Sequence, residues 1–144
     1  MSSPPFLETY RSVVRHEDCD ALGHMNVQHY FRAVSDGMFV VMAHLGLEQS
    51  EIARRKLCFA VVRAETDFRR ELRAGEAIAL ESTVTEMGDK LVVFQHRLRT
   101  VPVGEVAMTV DYKCLLMDLT RRRAVPVPED IRLAAQAAFP GLAA

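Results

Sequence analysis

The chain has 144 residues, 49% hydrophobic and 26% charged, and its 18 basic and 19 acidic residues leave a formal charge of −1. That length fits one domain with a core of useful size, and such charge balance gives no bulk attraction to nucleic acid or to an anionic membrane surface. Cys19, Cys58 and Cys114 are too few and too scattered for a disulfide framework or a structural zinc site.

Residues 1–8 read as a flexible arm at the start of a single domain spanning 1–144, without the basic-then-apolar pattern of a signal peptide. No apolar run approaches the roughly 20 residues that span a bilayer, so a soluble, cytoplasmic protein is expected. Residues 9–15, rich in β-branched and aromatic side chains, predict a first strand.

From about 27 to 45 the period becomes helical. Tyr30, Val34, Met38, Val41 and Leu45 recur every three or four residues, and the second half, MFVVMAHL, is apolar nearly all round, which predicts a helix buried on more than one side. Asn26 is placed to cap its start, Gly46 to end it in the left-handed region, and Arg32 to pair with Asp36 one turn on.

Beyond the helix the period is two, with strands predicted at 57–69, 77–87, 91–100 and 105–118. The connections at Ala74-Gly75, Gly88-Asp89 and Pro102-Val103-Gly104 read as short turns between antiparallel neighbours. A last short helix is expected near Pro128, with Glu129 and Asp130 in its first turn. The predicted architecture is α+β: one long buried helix against a five-stranded antiparallel sheet. One helix cannot hide every apolar side chain of such a sheet, so the remainder is expected to meet another subunit.

The chemistry concentrates in HEDCDALGHMNVQHY, residues 16–30. Two acids, Asp18 and Asp20, precede a turn containing Gly23 that opens directly into the helix. A helix start presents unpaired amides that can bind a carbonyl oxygen as it becomes an oxyanion. A carboxylate on the preceding turn can activate water or attack the same carbonyl.

Asp18-Cys19-Asp20-Ala21-Leu22-Gly23-His24-Met25-Asn26, with Tyr30 four residues on, resembles the 4-hydroxybenzoyl-CoA thioesterase-like family of hotdog-fold acyl-CoA thioesterases. VVRAETDFRREL, GEVAMTVDYKCLLMD and PVPEDIR resemble that family's second strand, last strand and approach to the final helix. The resemblance implies a hotdog fold, hydrolysis of an acyl-CoA thioester, no metal or other cofactor, and a homodimer or dimer of dimers with active sites between subunits. It assigns the catalytic carboxylate to Asp20 and the oxyanion donor to the backbone amide of Val27. The acyl group is expected beside Gly23, His29, Tyr30, Phe31 and Val34, with the partner's second strand adjoining.

Other residues have two readings each. His24 bonds Asp20 or packs within the turn, Asn26 caps the helix or positions water, and Asp18 is a structural acid or takes a direct part. Arg63 and Glu65 either help to place substrate or form a solvated edge. The run Arg121-Arg122-Arg123 either meets coenzyme A phosphates or is a solvated turn. Cys19 should point away from the target of Asp20, because neighbours on an extended segment face opposite sides. The five histidines show no HxxxH or HExxH spacing, so no metal site is expected. Two rival functions remain: a thioester-binding module without turnover, and a hotdog hydratase, whose acid–histidine motif is missing here.

Overall fold

In the computed structural model, which describes residues 5–142, five long strands form one antiparallel sheet that curls around a single long helix. The elements in chain order are β1 (Leu7–Val13), a 3-10 turn at His16–Asp18, α1 (Val27–His44), α2 (Gln49–Arg55), β2 (Leu57–Phe68), β3 (Ala77–Met87), β4 (Leu91–Thr100), β5 (Val106–Asp118), the two-residue β6 (Arg123–Ala124) and α3 (Glu129–Ala138). The sheet order is β1-β3-β4-β5-β2, with β6 paired to β5. This is the predicted α+β hotdog layout. No helix among the described residues is long and apolar enough to cross a membrane.

α1 forms where its periodicity says it should, and its start is capped as expected, the Asn26 side chain accepting from the Gln28 amide. Gly46 follows its end at φ +87°, a conformation that favours glycine. The face bearing Tyr30, Val34, Met38 and Val41 is buried and packs chiefly on β1 and β3. The approach is closest at Gly37, where a Cβ would stand 2.5 Å from Leu80 Cδ2 and 2.8 Å from Thr9 Oγ1. Val84, Phe94, Leu98, Met108 and Leu116 close the core from the sheet, and Ile131 and Phe139 from the α3 end.

Several expectations need correction. β1 begins at Leu7, inside the expected arm, and ends at Val13; the first four residues of that arm lie outside the described residues. Arg32 reaches Asp18, at 3.3 Å, rather than Asp36. The Ala74-Gly75 turn joins no hairpin, since β2 pairs with β5 while β3 pairs with β1 and β4. Residues 69–76 are therefore a crossover from one edge of the sheet to its interior. α2 is an addition to the predicted elements: it has seven residues and buries only Ile52, too short for a periodic signal.

β2 is one of the sheet's two edge strands, with β1 at the other edge, and lies open along most of its length, with Val61 47%, Val62 57% and Phe68 49% exposed. On α1, Phe39 and Val40 are likewise exposed. Other exposed apolar side chains, among them Val13, Leu22, Val27, Val103 and Leu133, lie apart from these two places.

Candidate active site

The turn before α1 is tied by its backbone. Asp20 N–H donates to the His24 carbonyl at 3.2 Å, Gly23 N–H to the Asp20 carbonyl at 2.9 Å, and Asn26 N–H to the Asp18 carbonyl at 2.9 Å. Gly23 holds φ +84° with open space around it. Met25 is buried and its amide donates 2.7 Å to the Leu72 carbonyl on the crossover, while Tyr30 Oη donates 3.2 Å to the Arg70 carbonyl. These two bonds clamp the crossover against the helix start.

Asp20 is partly exposed on this turn and both its oxygens are held. Oδ1 accepts from Leu22 N–H at 2.9 Å and Oδ2 from Asn26 Nδ2 at 2.8 Å. The Asn26 bond first, and then the Leu22 amide, pull the carboxyl below its ordinary pKa by favouring the ionised form. Asn26 does two jobs, since its Oδ1 accepts from Gln28 N–H at 3.0 Å as the helix cap. The Val27 amide, next to that cap, donates to no acceptor among the described residues, as expected at a helix's first turn.

A cleft of about 400 Å³ opens beside this helix start, lined by His24, Met25, Val27 and Tyr30 on one side and Phe68 to Glu71 on the other. Phe68 meets Tyr30 edge to face at 5.3 Å and Phe31 at 6.3 Å. Of the predicted site residues, His24, Val27 and Tyr30 line the cleft, while Asp20, Gly23 and Asn26 lie on the adjoining turn outside its lining; Phe31 is half-buried and its ring meets Phe68.

The other predicted residues fall elsewhere. Val34 is fully buried in the core. His29 turns to Asp18, its Nδ1 3.5 Å from Asp18 Oδ1. His24 does not bond the Asp20 carboxylate; its Nε2 lies 3.7 Å from Glu71 Oε1. Cys19 Sγ points to the Arg15 carbonyl at 3.6 Å. Arg63 and Glu65 pair with each other at 2.7 Å. They register with Lys113 and Asp111, on the sheet face opposite α1, whereas the helix-facing residues of β5 include Tyr112 and Cys114. Arg121-Arg122-Arg123 follows β5 at the Leu57 end of β2, a strand length on the order of 30 Å from Phe68.

Sequence reading missed the second wall, Phe68, Arg69, Arg70 and Glu71. Phe68 and Tyr30 are 38 positions apart, and only the crossover brings them together. Nothing local marks these residues as lining a cleft.

Residues 14–135, most of the chain, match the thioesterase-like superfamily. Among solved structures, a Staphylococcus aureus protein in complex with CoA is similar over 100% of this chain and 90% of its own, at TM-score 0.87 and 17% identity. A thioesterase from Thermus thermophilus, complexed with coenzyme A and Zn, is similar over 96% of both chains, at TM-score 0.79 and 22% identity. A gentisyl-coenzyme A thioesterase is similar over 87% of this chain and 97% of its own, at TM-score 0.75 and 22% identity. At these identities the likeness is one of fold.

Proposed function

The chain belongs to the thioesterase-like superfamily, and from that premise we propose that it hydrolyses an acyl-CoA thioester to the free acid and coenzyme A, with Asp20 as the reacting carboxylate. The observation that carries this reading is the single asparagine joining the two halves of the chemistry. Asn26 holds Asp20 Oδ2 at 2.8 Å through its amide nitrogen and caps α1 through its amide oxygen.

The thioester carbonyl sits at the mouth of the cleft, its oxygen toward the Val27 N–H and its carbon toward Asp20. As the carbon becomes tetrahedral, charge collects on the oxygen, and the fixed amide and the positive end of α1 stabilise it. Asp20, ionised at neutral pH, either takes a proton from attacking water or attacks the carbon itself to form a mixed anhydride that water then opens. In both routes the C–S bond breaks and the coenzyme leaves as its thiol. Met25, Tyr30 and Phe68 receive the acyl group, and His24 forms the polar wall beside it.

A second copy of the chain covers the open β2 edge, whose unpaired backbone groups and exposed Val61 and Val62 invite strand pairing. No cofactor is needed for this chemistry.

Thiol release from acyl-CoAs spanning acetyl to palmitoyl, with benzoyl and phenylacetyl, tests the reading. Asp20→Asn should keep its fold and lose about 1,000-fold in kcat. Equal turnover by wild type and variant would remove Asp20 from the mechanism. Tight acyl-CoA binding without thiol release would turn the reading to a binding module.

A further inference from the structure

Asp18 is 5% exposed, an unusual place for an acid this close to the surface. Two donors hold its carboxylate, Arg15 N–H at 3.4 Å and Arg32 Nη2 at 3.3 Å, both on Oδ2, and His29 Nδ1 lies 3.5 Å from Oδ1 without a hydrogen bond among the described residues. Arg15 caps the 3-10 turn, while His29 and Arg32 belong to the first two turns of α1. The carboxylate therefore lies between the chain entering the site and the helix leaving it, at the helix's positive end. The same residue's carbonyl accepts the Asn26 N–H at 2.9 Å, and Asn26 is the donor on Asp20. Asp18 thus bonds one of the two supports of the carboxylate proposed to react, and neither His29 nor Arg32 lines the cleft.

We propose that Asp18 is a positioning residue for the Asp20 chemistry: it ties Arg32 of α1 to the turn, with His29 packed beside it, and so holds the Asn26 amide on Asp20. The proposal rests on Asp20 as the reacting carboxylate, but its structural half stands apart from turnover. If the tie loosens, Asn26 withdraws from Asp20 and the strongest influence favouring the ionised carboxylate weakens. Leu22 N–H remains as the next influence on that group. Asp20 then takes up its proton at a higher pH than in the wild type. A residue that merely supports the fold would lower stability without moving that titration.

The test is Asp18→Asn, which keeps the shape and removes the charge. It reads two quantities: the acid limb of the kcat profile, and the titration of the Asp20 carboxyl carbon followed by NMR. The expected result is an upward move of both, with kcat at neutral pH down roughly 10- to 100-fold, the scale of a misplaced reacting group, and KM within about twofold. Arg32→Gln and His29→Gln, each removing one neighbour, should move the titration the same way by less, and they serve if Asp18→Asn does not fold. An Asp20 titration unchanged in all three variants would overturn the proposal, whatever happens to activity. A wild-type protein that releases no thiol would overturn the Asp20 reading alone, because the carbon titration reports the coupling without turnover.

Discussion

At the start of α1 the Asp20 carboxylate lies near the surface with a donor on each oxygen. Near the middle of the same helix, beneath Gly37, a second polar chain runs through the core. Thr9 Oγ1 and Ser82 Oγ are 2.7 Å apart, and Ser82 Oγ is 2.7 Å from His96 Nδ1. His96 is 0% exposed, its Nε2 has no partner among the described residues, and its ring meets Tyr112 edge to face at 5.4 Å. Both Asp20 and His96 hold their pKa below the ordinary value, for opposite reasons. Donors aimed at Asp20 favour its charged form, whereas burial with no counter-charge penalises the charged form of His96 and pushes it to about 3. One network favours a charge near the surface, on the turn before α1. The other excludes a charge from a core, and nothing there can reach a substrate.

The largest effect that separates the two lies in acid. Unfolded, the His96 imidazole takes up its proton near pH 6.5; folded, it stays neutral down to about 3. Between those values the unfolded chain binds the extra proton, so stability is full above pH 6.5 and falls as pH drops, on the order of 1 kcal/mol per unit. Urea midpoints between about pH 6.5 and 5, above the carboxylate range, should show that slope in the wild type and a much flatter one in His96→Leu. Equal slopes would mean that the imidazole is not held neutral.

A smaller effect follows from packing. Gly37→Ala gains about 1 kcal/mol of helix propensity, but its methyl meets the buried Leu80 and the Thr9 hydroxyl. A net loss of roughly 1–2 kcal/mol is expected by urea denaturation, and a gain in stability would show that the closed network is looser than its distances indicate. Smallest in stability is Asn26→Ala, which removes the cap for about 1 kcal/mol. Its signature is kinetic: the acid limb of kcat should rise as Asp20 loses its strongest partner, and the slope due to His96 should not change. Movement of both would mean that the two networks are coupled along the helix.

Period and punctuation alone located the long helix, with its Asn26 cap and Gly46 stop, and β3 and β4 end to end. These are local matters, set by which side chains share a face and which residue tolerates a given φ. The motif around Asp20 was legible for the same reason, since turn, cap and helix start are contiguous. Only the tertiary structure decided that β2 crosses to the far edge beside β5, because strand order depends on pairing between distant segments. That crossover sets Phe68 and Arg70 against Tyr30, so the cleft's second wall had no local sign. A bulge between Val61 and Arg63 turned Arg63 and Glu65 to the outer face, in register with Lys113 and Asp111, where unbroken alternation from Phe59 would have faced them inward. Arg32 had two acids within reach, and the sequence spacing favoured Asp36. Folding placed the buried carboxyl of Asp18 beside it instead, 3.3 Å from Arg32 Nη2, a contact made across the turn that sequence spacing does not show.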